Sequence, residues 1–131
     1  MHCFAHNGKL AGIDHHPAFA SGSFMPVGGT DSESAACALF DRMAGPWRAD
    51  AVPEPEELLA VVQRFAAELC ALGPANFLYS DGELLFGHGH RRTQSDGNIA
   101  PPGLWLLHRQ CAVDPGALSA SGIHVGATNG Q

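Results

Sequence analysis

Two stretches of helical period dominate the pattern of apolar and polar positions. In the first, Ala36, Leu39, Phe40 and Met43 recur at helical spacing. Thr30 and Glu33 ahead of them make a T-x-x-E capping box, so the first helix is predicted to begin at Thr30 and to stop at Gly45-Pro46. In the second, Leu58, Val61, Val62, Phe65, Leu69 and Leu72 share one face. That helix is predicted to start near Pro55, where Glu54, Glu56 and Glu57 suit the positive helix end, and to end at Gly73-Pro74. Each helix is apolar on one face only and needs a sheet or another helix to cover it.

Strand signals are shorter. His2 to His6 reads as a strand entering a turn at Asn7-Gly8, and Lys9 to Pro26 reads as irregular. Trp47 to Pro53 reads as a loop. Phe77-Leu78-Tyr79 and Leu84-Leu85-Phe86 flank Ser80-Asp81-Gly82-Glu83, a hairpin in which Asp-Gly favours a type I′ turn. Gly87 to Pro102 reads as a polar loop, Leu104 to Leu107 as a further strand and Ile123-His124-Val125 as a weak one. The order predicts an α+β fold, with two helices packed on one face of a mostly antiparallel sheet.

Apolar residues follow Met1 at once, and Gly126 to Gln131 reads as a turn whose second strand is missing. The expectation is a partial domain cut at both ends. Apolar helix and sheet faces left uncovered in this way would promote self-association.

Composition narrows the function classes. A net charge of −6 with only seven Lys and Arg argues against nucleic acid as a partner. The only basic cluster, His88, His90, Arg91 and Arg92, is too short to line a groove. No stretch approaches the roughly 20 apolar residues of a membrane span, and no signal peptide is visible. Cys3, Cys37, Cys70 and Cys111 match no zinc spacing and read as reduced, buried thiols of a cytoplasmic protein. His88-x-His90 and His15-His16 invite a metal reading, but zinc needs three or four placed ligands and Arg91 and Arg92 oppose a cation. No metal ligand set or cofactor is assigned. No G-x-S-x-G occurs to support a serine hydrolase.

Two short segments carry the chemistry. In Ala5-His6-Asn7-Gly8, an Asn side chain next to a Gly N–H suits a developing oxyanion, although Asn-Gly is also an ordinary strand exit. In Gly28-Gly29-Thr30-Asp31-Ser32-Glu33, a capped first turn would hold the Asp31 carboxylate rigidly for an ammonium, although Asp there also complements the helix dipole.

Phe4-Ala5-His6-Asn7-Gly8-Lys9-Leu10, Pro26-Val27-Gly28-Gly29-Thr30-Asp31-Ser32-Glu33 and Asn76-Phe77-Leu78-Tyr79-Ser80-Asp81-Gly82, in this order, resemble the class II glutamine amidotransferase domain. The likeness is to the stand-alone bacterial type and runs from about His2 to Cys111. It implies a four-layer αββα sandwich of the N-terminal-nucleophile hydrolases. It also implies a cysteinyl-glutamyl intermediate, glutamine as substrate and an unidentified nitrogen acceptor. Asn7 and the Gly8 N–H would form the oxyanion hole. Asp31, with Gly29 beside it, would bind the substrate α-amino group. Ser80-Asp81-Gly82 would be a structural turn.

The sequence departs from that pattern at its start. The family nucleophile is a Cys at residue one, whose α-amino group serves as base, and an Arg-bearing strand grips the substrate carboxylate. Only Met1, His2 and Cys3 precede Phe4, and Cys3 has no free α-amino group, so it reads as a core thiol. The chain alone is therefore expected to be inactive. A non-catalytic remnant that binds glutamine or a partner chain, and a His-rich metal-binding module, stand as the alternatives.

Overall fold

The computed structural model describes residues 1–104. Its elements are β1 (Cys3–Gly8), α1 (Asp31–Ala44), α2 (Pro55–Leu72), β2 (Ala75–Ser80), β3 (Leu85–His88), β4 (Arg92–Thr93) and β5 (Ile99–Ala100). β1, β2 and β3 form one antiparallel sheet in that order, and β4 and β5 a separate two-stranded ladder. The fold is α+β, with both helices over one face of the main sheet. Cys111, the strand expected at Ile123–Val125 and all of the Leu104–Leu107 strand except Leu104 lie outside the described residues.

Helix packing follows the apolar stripes. α1 buries Ala35, Cys37, Ala38, Leu39 and Met43. α2 buries Leu58, Val62, Phe65, Ala66 and Leu69. All but Cys37 join Phe77 and Tyr79 of β2 in one core cluster, with Phe4 of β1 packed against it. Phe65 is the hub, edge-on to Phe4, Phe19 and Phe77 at ring-centroid distances of 6.3, 6.0 and 5.8 Å. Arg42 lies over both Phe19 and Phe65 and pairs with Glu68 at 2.6 Å.

This packing corrects the expected location of uncovered apolar surface. Both helix faces are covered by the β1–β3 sheet. The open surface is the sheet's other face, where Leu78 is 51% and Leu85 71% exposed. Cys3 is likewise exposed, so it is not the core thiol that its position suggested. Alternation explains this: Phe4 and His6 face the helices, which turns Cys3, Ala5 and Asn7 to the opposite side.

Four local expectations are also revised. Asn7 and Gly8 are not a turn; they stay in β1, paired with Asn76 and Ala75. The chain turns later, through Gly12 at φ 72°. The stretch from Lys9 to Pro26 carries two 3-10 turns, Ile13–His15 and Pro17–Phe19, which contribute Ile13 and Phe19 to the core. The hairpin register pairs Ser80 with Leu85, which leaves a four-residue loop. No non-glycine residue described has positive φ, so Asp81 cannot enter a type I′ turn. Asp81 Oδ1 instead accepts from the N–H groups of Glu83 and Leu84 at 2.9 and 2.8 Å. Finally, the expected Gly87–Pro102 loop contains the end of β3 and the β4–β5 ladder.

Candidate functional site

The end of β1 and the start of α1 converge. Asp31 Oδ2 accepts from the Leu10 N–H at 2.8 Å, and His6 Nδ1 lies 2.9 Å from Ser32 Oγ. Ser32 Oγ in turn lies 3.4 Å from Asp31 Oδ1. Thus the two segments singled out in the sequence meet at one end of the sheet. Asn7 is exposed on the face away from the helices, so its side chain is open to a ligand. An ionised carboxylate has about four acceptor positions, so Asp31 can still take an ammonium.

Close backbone passage sets this geometry. A Cβ on Gly8 would overlap the Pro74 carbonyl, and one on Gly73 would overlap the Lys9 carbonyl. The strand exit and the α2–β2 junction therefore cross where neither glycine can carry a side chain. The Ala11 N–H also bonds to the Leu72 carbonyl at 3.1 Å. Gly8 is required by this crossing as well as by any oxyanion role.

Asn76 adjoins the candidate site, a placement the sequence did not reveal. Its Nδ2 donates to the Asn7 carbonyl at 3.1 Å and to the Arg91 carbonyl at 3.0 Å, while its Oδ1 accepts from the His90 N–H at 2.9 Å. It braces the Asn7 backbone and leaves the Asn7 side chain alone. The signal for it was an Asn inside a strand, where that residue type is depleted.

The α1 start differs from the expected box. Thr30 is the N-cap, as the expected box requires, and its Oγ1 accepts from the Glu33 N–H at 3.2 Å; the difference lies in the Glu33 side chain. The Glu33 carboxylate is engaged chiefly by the loop ahead of the helix, and only secondarily by the Thr30 N–H. It accepts from the Val27 N–H at 3.0 Å and from the Gly28 N–H at 2.9 and 3.0 Å. The full reciprocal box occurs on α2, between Glu54 and Glu57. Gly29 lies in the loop held by this latch and borders open space.

The bonds from Gly28 and then Val27 hold the Glu33 carboxyl below the usual glutamate value. A depressed folded-state value contributes stability above the unfolded value, and that contribution is lost as pH falls through the lowered one. The stability gap between wild type and Glu33→Gln should therefore narrow as the pH drops below 4.5, the ordinary glutamate value. Thermal melts across that range check this; a gap independent of pH would show that the latch carries no charge-assisted bond.

Among the described residues, the other histidines and thiols do not join the site. Cys70 Sγ lies 3.5 Å from His88 Nε2, and His88 and His90 have ring centroids 6.5 Å apart. Burial, and then His90, push His88 below the usual histidine range. Among the described residues, no three His, Cys, Asp or Glu side chains converge as a metal ligand set. A cavity of about 480 Å³ opens beside Met43, Trp47, Leu58, Tyr79 and Asp81, at the opposite end of the sheet from Asn7.

Residues 1–128 match the family profile described as class II glutamine amidotransferases. The chain belongs to this family. Among its relatives, a Haemophilus influenzae protein named "Putative glutamine amidotransferase" is 32% identical over 85 residues, covering 65% of this chain and 27% of the relative. The Escherichia coli K12 protein named "Putative glutamine amidotransferase YafJ" is 34% identical over 89 residues, covering 65% of this chain and 32% of the relative. The crystal structure of a "predicted glutamine amidotransferase" from Pseudomonas aeruginosa PA01 superposes with a TM-score of 0.55 at 34% identity, covering 72% of this chain and 41% of that one. The chain thus spans about a quarter to a third of the length of the curated relatives. No helix among the described residues is long and apolar enough to cross a membrane.

Proposed function

We propose that the whole protein hydrolyses glutamine through a cysteinyl-glutamyl intermediate and delivers the released nitrogen to an acceptor or to water. In this reading the Asn7 side-chain amide and the Gly8 N–H stabilise the oxyanion. Asp31 holds the substrate ammonium, with the open space at Gly29 beside it. The observation that carries the reading is the bond between Asp31 and the Leu10 N–H, which ties the ammonium anchor to the chain just beyond the oxyanion donors. Family membership supports the substrate class.

Cys3 is not the nucleophile in this scheme. It lies four residues before Asn7 on the same extended strand, about 13 Å away. Without another nucleophile the described site would bind glutamine and not turn it over. The free thiols of Cys3, Cys37 and Cys70 suit a cytoplasmic setting, and the Leu78–Leu85 face suits self-association.

Asp31→Asn tests the ammonium role. The Thr30 cap and the Glu33 latch remain, so the fold should persist. Losing a charge-assisted bond of roughly 1.5–3 kcal/mol should raise KM for glutamine about ten- to a hundredfold, with a smaller change in kcat. The measurement is glutamate release by the whole protein as glutamine is varied. An unchanged KM would remove Asp31 from the substrate site.

A further inference from the structure

We propose that His6 and Ser32 form a positioning pair that sets Asp31 relative to Asn7 and Gly8; the inference rests on the roles given above to those three residues. Donors and acceptors run in one direction. The Ser32 hydroxyl donates its one proton to Asp31 Oδ1 at 3.4 Å, which leaves Ser32 Oγ to accept, at 2.9 Å, from the His6 tautomer protonated at Nδ1. A second tie reaches the same carboxylate from Leu10 N–H to Asp31 Oδ2 at 2.8 Å. His6 and Leu10 stand on either side of Asn7-Gly8 in the chain. The oxyanion segment is therefore held between two attachments that both end on the Asp31 carboxylate.

The choice of histidine has a cost that packing does not explain. With Nδ1–H committed to Ser32, Nε2 is a bare acceptor. It is buried and has no hydrogen-bond partner among the described residues. It also lies against Gly8, 2.8 Å from where a Cβ would stand. The ring stacks near Phe4, at a centroid distance of 6.4 Å, so a Phe would occupy this place without an orphaned polar atom. A position that breaks the rule for buried polar groups, beside the candidate oxyanion donor, is where function rather than stability selects the residue. Neither His6 nor Ser32 touches substrate in this scheme. They act through Asp31.

The test uses His6→Phe, Ser32→Ala and His6→Asn in the whole protein. His6→Phe keeps the ring and removes the bond. His6→Asn puts an amide nitrogen where Nδ1 stands. His6→Phe and Ser32→Ala should each raise KM for glutamine about three- to tenfold, the equivalent of one buried hydrogen bond, with kcat within about threefold of wild type. His6→Asn should restore KM to within about twofold. The double variant should be no worse than either single one, because both remove the same link. A merely structural role would lower the melting temperature and leave KM unchanged, and that result, or additive effects on KM, would overturn the proposal. A second measurement does not need turnover: amide exchange at Leu10 in the 131-residue chain. Exchange should quicken in His6→Phe and Ser32→Ala and stay slow in His6→Asn, whereas unchanged exchange in the first two would overturn the proposal. A wild-type protein that does not hydrolyse glutamine would overturn the functional reading above, while Leu10 exchange would still decide the pair.

Discussion

Asn7→Ala should lower kcat for glutamine hydrolysis by the whole protein about 10²–10³-fold, the effect of losing one oxyanion donor. The substitution is unusually clean here. Asn76 bonds to the Asn7 main-chain carbonyl, so the strand end keeps its brace when the side chain is cut back. The side chain itself is exposed and has no hydrogen bond to lose in the described structure. Melting temperature should therefore stay near the wild-type value, and KM should change little, because charge on the oxygen develops only after binding. Stopped or steady-state glutamate release, paired with a thermal melt, makes the measurement. A full kcat in Asn7→Ala would take the oxyanion role away from this residue, and a large fall in melting temperature would mean that the loss of activity reports unfolding.

Phe65→Ala should be the most destabilising single truncation in the described core, by about 3–5 kcal/mol. Phe65 is fully buried and joins α2 to four other elements. Its ring meets Phe4 of β1, Phe77 of β2 and Phe19 of the second 3-10 turn edge-on, and Arg42 of α1 sits 5.4 Å from its centroid. Neighbours tied to separate elements cannot all collapse into the gap, so the cavity persists. Set against a typical total stability of about 5–15 kcal/mol, the loss should lower the melting temperature by about 10–20 °C. Leu59→Ala on the same helix, where Leu59 is 42% exposed, should move it far less. Equal effects from the two would show that α2 does not pack as described.

The two helices were legible because each has enough residues for periodicity to average out, and because their ends are marked by residues with one local meaning: Thr30, Gly45, Pro55 and Gly73. The β2–β3 hairpin was legible as a pairing and misread as a turn. Asp-Gly permits a type I′ turn, but the carboxylate of Asp81 bonds two N–H groups ahead and widens the loop to four residues. The same ambiguity affected Asn7-Gly8. Those residue types suit a chain reversal, yet here the ladder with Asn76 and Ala75 holds them extended. Glu33 had two local choices, the Thr30 amide or the amides behind it, and only the path of Val27-Gly28 made the latter its main partners. The fate of Cys3 depended on which parity of β1 faces the helices, which a short strand with mixed residues does not declare.

By itself, the sequence determined the two helices, their approximate ends and the residue types of the candidate site, because these follow from spacing and side-chain chemistry within a few residues. It also carried the family, through the order of three short segments. Only the tertiary structure decided that Asp31 is bonded to Leu10, that His6 reaches Ser32 and that Asn76 braces Asn7. Those contacts join residues 21, 26 and 69 positions apart. Their geometry is set by the crossing of Gly8 and Gly73 and by the seating of α1 on the sheet. No local preference encodes such distances, since they result from the packing of the whole core.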